Sequence, residues 1–177
     1  MLVIRPLRPQ DAEAMRGFLE RLSPESRYSR FQYVLKEVTP RLLQFLLAAD
    51  PRSHVALGAF EGEELVGEAR YVREAERGEF ALAVADRWRG RGLGRRLLDQ
   101  LLRLARRQGL RRLDGEVLAG NAAMTAFLTR AGFRLRTHPG DARLLRAERV
   151  LYDGRRPAKA SCRSAGTARY AIGAGFG

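Results

Sequence analysis

The segment Arg89-Gly90-Arg91-Gly92-Leu93-Gly94 combines two properties that an anion site needs. Its glycines lack a Cβ, so a phosphate can come close to the backbone, and its arginines supply charge. A strand pattern ends just before it, at Ala85, and a long helical pattern begins at Gly92. The first amides of a helix have no partner within it, and the helix dipole places partial positive charge there. Arg95 and Arg96 add cations in the first turn. The same glycines would also serve a tight turn with no ligand. Spacing excludes two nucleotide motifs. The dinucleotide fingerprint wants a third glycine where Leu97 stands, and a P-loop wants Gly-Lys-Ser/Thr, which this segment lacks. What remains is Arg-x-x-Gly-x-Gly between a strand and a helix.

The rest of the chain must position that turn. Residues 2–8 read as a strand, and Asp11 is placed to cap a helix carrying Ala14, Met15, Phe18 and Leu19. Ser23-Pro24 and Thr39-Pro40 mark two further helix starts, the second leading to Leu42, Leu43, Phe45 and Leu46. Residues 54–60 and 65–72 flank the hairpin signal Glu61-Gly62-Glu63-Glu64, and 79–85 adds a third strand of an antiparallel meander. Leu93, Leu97, Leu98, Leu101, Leu102, Leu104 and Ala105 then recur at helical spacing over 92–108, and Gly109 is placed to end that helix. A strand at 113–118, a helix at 121–131 and a strand pair at 133–135 and 144–151 follow. Strand, helix and strand from 79 to 118 make a βαβ unit, whose two strands run parallel.

Composition narrows the class. A chain of 177 residues with 45% hydrophobic content suits one domain, here 1–153. Residues 154–177 are rich in Gly, Ala, Ser and Arg without periodicity, and read as a flexible tail. No apolar run approaches the ~20 residues that span a bilayer, and the N-terminus lacks a signal peptide's pattern, so a cytoplasmic protein is expected. Cys162 is the lone cysteine, and His54 and His138 are isolated, which argues against a structural metal. The net charge is +13, but the tail carries five of the 33 basic residues and the body keeps +8. Only Lys36 and Lys159 are lysines, a bias that reads as genome composition. The basic residues are dispersed and aromatic platforms are not evident, which argues against a nucleic-acid binder.

Residues 83–98, centred on Arg89-Gly90-Arg91-Gly92-Leu93-Gly94, resemble the acetyl-CoA motif of the GNAT superfamily, Arg/Gln-x-x-Gly-x-Gly/Ala. A second landmark of that family follows at the right distance, in Asn121, an apolar helix and Gly132-Phe133. The resemblance extends over 2–151. A narrower one is carried by Arg5-Pro6-Leu7-Arg8-Pro9-Gln10-Asp11 and Leu22-Ser23-Pro24-Glu25-Ser26-Arg27. Glu79-Phe80-Ala81, and Gly115-Glu116-Val117-Leu118 with Asn121 and Met124, point the same way. These segments are similar to the catalytic domain of bacterial protein-lysine acetyltransferases. That domain is often fused to an acyl-CoA-synthetase-like or cyclic-nucleotide-binding partner, for which this sequence has no room.

The resemblance implies an α+β fold, an α/β/α sandwich around a mixed, mostly antiparallel sheet with one splayed parallel pair. It implies acetyl-CoA as acyl donor, held by Leu82, Ala83 and Val84 along the pantetheine arm, by Arg89, Gly90, Arg91, Gly92, Leu93, Gly94 and Arg95 at the phosphates, and by Asn121. It implies a primary amine as acceptor, a protein lysine first among the candidates. Glu79, ten residues before Arg89, is the expected general base, with Glu116 as the second candidate. Many relatives place a tyrosine seven residues after the asparagine, beside the thioester sulfur; here that position is Leu128, which donates no proton. Arg27, Tyr28 and Arg30 are expected to border the acceptor groove and to meet an acidic substrate surface. Two alternatives stay open, an acetyltransferase for a small amine and a non-catalytic acyl-CoA sensor.

Overall fold

Hydrophobic spacing and a few capping side chains set the element boundaries in the computed structural model, which describes residues 1–48, 50 and 52–152. The strands are β1 (Leu2–Pro6), β2 (His54–Glu61), β3 (Glu64–Glu74), β4 (Arg77–Val84), β5 (Arg112–Leu118), β6 (Arg134–Thr137) and β7 (Leu144–Val150). The helices are α1 (Ala12–Arg21), α2 (Pro24–Phe31), α3 (Pro40–Leu47), α4 (Leu93–Arg107) and α5 (Ala122–Arg130). The tail expected at 154–177 lies outside the described residues.

Two of the three expected caps form as read. Ser23 Oγ accepts from Ser26 N at 3.2 Å, and Thr39 Oγ1 accepts from Leu42 N at 3.2 Å. Asp11 stands at the start of α1 but makes no cap bond there. Its carboxylate instead accepts both Nη groups of Arg5, at 2.7 and 2.8 Å, and the backbone N–H of Arg8 at 2.8 Å. A bidentate guanidinium outcompetes a single helix amide for a carboxylate.

The seven strands form one sheet in the order β1-β2-β3-β4-β5-β7-β6. All neighbouring pairs are antiparallel except β4 and β5. On one face α4 and α5 bury Leu93, Leu97, Leu98, Leu101 and Leu128 against Ala69, Tyr71 and Leu113. On the other face α1 to α3 bury Met15, Phe18, Leu19, Leu43 and Leu46 against Ala56 and Leu65. The result is the expected sandwich.

The parallel pair is short. Only Arg77–Arg112, Gly78–Leu113 and Glu79–Asp114 are paired, and beyond that rung β4 and β5 part. At the vertex, a Cβ on Gly115 would lie 2.8 Å from the Phe80 carbonyl oxygen, so a glycine there lets the two backbones meet.

Charge is buried beneath α2. Glu68 and Arg70 are fully buried on β3. Arg30 Nε of α2 donates to Glu68 Oε1 at 2.6 Å, and Arg70 donates to Oε2 through Nε, at 2.8 Å, and through Nη2. Arg70 Nη1 reaches the Leu46 carbonyl of α3 at 2.7 Å and lies 3.3 Å from His54 Nε2. Burial alone would push the Glu68 carboxyl up, but the charges of Arg30 and Arg70 hold it below the usual range. Burial, then the Arg70 charge, pushes His54 down to about 4.

Removing one partner from such a group leaves uncompensated buried charge. Glu68→Gln should therefore cost about 3–5 kcal/mol of stability in denaturant unfolding. His54 gives a second expectation. Between its ordinary value of 6.5 and about 4, the unfolded chain binds a proton that the fold does not. Stability should fall as pH drops through that window, and His54→Gln should flatten the decline measured by thermal unfolding.

Candidate active site

Where β4 and β5 part, a groove of about 1280 Å³ opens between α2, the turn before α4, and α5. Every residue expected to bind the donor lines it except Arg91: Leu82, Ala83 and Val84 from β4, Arg89, Gly90, Gly92, Leu93, Gly94 and Arg95 from the turn, and Asn121. The Arg91 guanidinium instead lies 5.3 Å from the centre of the Trp88 ring.

The turn is shaped by backbone conformation. Gly90 and Gly92 have φ of 72° and 78°, the left-handed region that residues with a Cβ rarely adopt. Gly92 precedes α4, and the first helix-type bond runs from Arg96 N to Gly92 O at 3.1 Å. The amides of Leu93, Gly94 and Arg95 therefore have no partner inside the helix. Two of the nearby cations, Arg89 and Arg95, have acidic partners within the protein, while Arg96 is exposed. Arg95 Nε donates to both oxygens of Asp99 at 2.9 Å. Arg89 Nη2 donates to Ser26 Oγ at 2.8 Å, and Nη1 stands 3.1 Å from Asp86 Oδ1. Asp86 also accepts from Ser26 Oγ at 2.6 Å and from Ser23 N at 2.9 Å. Burial opposes ionisation of Asp86, but the Ser26 and Ser23 bonds and the Arg89 charge hold its carboxyl below the usual range.

The opposite end of the groove carries carboxylates. Glu79 lines it, with its side chain 28% exposed and Oε2 4.0 Å from Arg77 Nη2. Glu116 lines it from β5, and Oε1 lies 3.1 Å from His138 Nε2. His138 Nδ1 accepts the Gly140 N–H at 3.1 Å, so the neutral ring carries its proton on Nε2, towards Glu116. Tyr28 and Arg143 also line the groove. Arg30 lines the groove as well, but its guanidinium is turned inward onto Glu68 and its side chain is 2% exposed. It presents no surface charge to a partner, contrary to the expectation for an exposed arginine. Arg27 does not line the groove. Leu128 lines the groove too, although it is almost fully buried. Asn121 caps α5 through its carbonyl oxygen, which accepts from Met124 N at 3.1 Å.

The model of the Acetyltransferase (GNAT) family matches residues 15–133. This chain belongs to the GNAT acetyltransferase family. It is 38% identical over 147 residues to the acetyltransferase PA5475 of Pseudomonas aeruginosa, covering 80% of this chain and 79% of that protein. It is 35% identical over 134 residues to the acetyltransferase Pat of Mycolicibacterium smegmatis, covering 73% of this chain but 40% of that protein. The fold superimposes on the GNAT domain of S. lividans PAT with a TM-score of 0.79 at 29% identity, over 83% of this chain and 89% of that one. The yncA acetyltransferase structure from Salmonella typhimurium, solved with acetyl-CoA, shares the fold at a TM-score of 0.72 and 20% identity, over 90% of this chain and 99% of that one. As a GNAT acetyltransferase, the protein uses acetyl-CoA as its cosubstrate. The first-turn amides, the glycine turn and the apolar walls Leu82, Val84 and Phe127 suit a pyrophosphate and an extended arm. Among the described residues no histidine, cysteine and carboxylate group is placed to hold a metal, and no helix is long and apolar enough to cross a membrane.

Several contacts at the site carry no signal in the sequence. Ser26 and Asp86 meet across 60 residues, and His138 joins Glu116 from the loop between β6 and β7. The glycines of the turn give a direct test. A Cβ on Gly94 would meet Val84, Phe127 and Leu82 at 3.7 to 3.9 Å, which is ordinary contact. Gly94→Ala should fold with near-normal stability, whereas Gly92→Ala should lose about 1–2 kcal/mol through its left-handed φ. Calorimetric melting of the two variants separates these outcomes.

Proposed function

We propose that the protein transfers the acetyl group of acetyl-CoA to a primary amine by direct attack, with Glu79 as general base and a protein lysine as the favoured acceptor. The observation that carries this reading is the position of Glu79 at the last rung before β4 and β5 part. Beyond it, the β5-facing backbone of β4 around Leu82, Ala83 and Val84 has no strand to pair with, which suits a pantetheine arm added as a strand would be. Acetyl-CoA supplies the activated acyl carbonyl. The chain's residues do the rest. The amides of Leu93, Gly94 and Arg95 take the phosphates at the start of α4, while Asn121 borders the arm. Arg89 shapes the turn through Ser26 and Asp86. Glu79 takes the proton from the incoming ammonium. Leu128 gives none to the thiolate, which leaves unassisted or takes its proton from water. A cytoplasmic location belongs to the same proposal.

The lysine preference rests on the similarity of the segments around Arg5, Ser23, Glu79 and Glu116 to protein-acetylating enzymes. The groove, lined by Tyr28 and Arg143 among others, is open enough to take a side chain presented by another protein. A small amine is the second reading, favoured by the two carboxylates, Glu79 and Glu116, that line the groove and suit a cationic acceptor.

CoA release should be measured against a panel of small amines and lysine-bearing proteins. Glu79→Gln should lower kcat by roughly a hundredfold or more on the true acceptor while acetyl-CoA binding is retained. Undiminished turnover would remove Glu79 from its role, and tight acetyl-CoA binding with no turnover on any acceptor would favour a sensing module.

A further inference from the structure

Arg77 lies two residues before Glu79 on β4, and alternation along a strand puts both side chains on one face of the sheet. Its guanidinium joins three carboxylates at the vertex of the groove. Nε is 3.2 Å from Asp114 Oδ1, and Nη2 is 3.4 Å from Glu74 Oε2 and 4.0 Å from Glu79 Oε2. Asp114 is the register partner of Glu79 across the parallel pair and is buried. Burial pushes its carboxyl up, and the charges of Arg77 and Arg112 oppose that rise.

We propose that Arg77 and Asp114, packed together where β4 and β5 part, are positioning residues that set the pH at which Glu79 accepts the proton of the acceptor amine. The inference rests on the reading of Glu79 as the base. Other charged and titratable groups surround the site. On β3 are Glu74 and the internally paired Arg70, and on β5 are Arg112 and Glu116. On β7 are Arg146 and Glu148, in register with Glu116 and Asp114, and the loop between β6 and β7 brings His138 to Glu116. The α2 wall brings Glu25, Tyr28 and Arg30 to the groove. Arg77 Nη2 stands 4.0 Å from the Glu79 carboxylate.

The signs follow from charge. A cation beside a carboxylate favours its ionised, proton-accepting form, and a like charge disfavours it. Arg77 acts on Glu79 directly and also neutralises Asp114, so both effects of its removal raise the pH needed to ionise Glu79. Removing the Asp114 charge acts in the opposite direction, and it releases Arg77 towards Glu79. Two neighbouring substitutions are therefore expected to shift one titration in opposite directions, which a general loss of packing does not produce.

The test is the pH profile of kcat/KM for the wild type, Arg77→Met, Arg77→Lys and Asp114→Asn, each checked for folding by circular dichroism and for its acetyl-CoA affinity. The acid limb should move up by about one pH unit in Arg77→Met, return most of the way in Arg77→Lys, and move down in Asp114→Asn. Acetyl-CoA affinity should be unchanged throughout. Profiles of unaltered shape, with activity merely scaled down, would overturn the proposal. If Arg77→Met does not fold, the opposite directions of Arg77→Lys and Asp114→Asn relative to wild type still decide it. Glu79→Gln run alongside separates the two failures: full activity in that variant removes the base itself, whereas its inactivity with unmoved limbs in the others removes only the role of Arg77 and Asp114.

Discussion

The structure depends on a ladder that stops early. After Glu79–Asp114, β4 keeps its antiparallel pairing with β3 but loses β5 on its other side. Unpaired backbone groups in a protein interior are costly, so such an opening persists only where surrounding packing enforces it. Here the enforcement comes from two helices. The start of α4 and the body of α5 meet β4 at one place, where Val84, Phe127 and Leu82 all approach Gly94. These side chains wall the groove there, beside the stretch of β4 that β5 leaves unpaired. Gly115 completes the geometry from below by letting the strands touch at Phe80. The groove, its apolar walls and the position of Glu79 at its vertex all follow from this one interruption.

A second constraint fixes the acceptor wall. The helix α2 has only eight residues and few apolar contacts of its own, yet it is tied at both ends by charge. Its C-terminal end is held inside the protein by Arg30 on Glu68, and its N-terminal end by Ser23 and Ser26 on Asp86. Asp86 and Ser26 also hold Arg89, so the wall facing the acceptor and the turn facing the donor share one hydrogen-bonded junction. Buried charge pairs contribute little net stability compared with apolar packing, but they fix position because no displaced arrangement satisfies both charges. The abundance of arginine thus has a structural share: Arg5, Arg30, Arg70, Arg89 and Arg95 are spent on partners within the protein. At the turn a ligand meets the backbone amides of the first turn of α4 beside exposed arginine side chains.

Local order was legible in the residues wherever the determinant is local. The leucine spacing of α4, the Ser23 and Thr39 caps, the hairpin at Gly62 and the parallel relation of β4 and β5 follow from short-range rules, and each is present. Asp11 departed from the same rules because Arg5, six residues away, offered a stronger partner than the helix amide.

By itself the sequence determined the order of elements, the glycine turn before α4, and the family to which that turn and Asn121 belong, because these depend on backbone conformation and spacing within one stretch of chain. Tertiary structure alone decided which charges are spent and which are offered. Arg30 and Arg27 look alike in the sequence, yet Arg30 is buried on Glu68, 38 residues away. Arg77 and Asp114 are unremarkable until a parallel pairing sets them beside Glu79. Electrostatic energy depends on distance and on exclusion of water, and neither is defined until distant segments have packed.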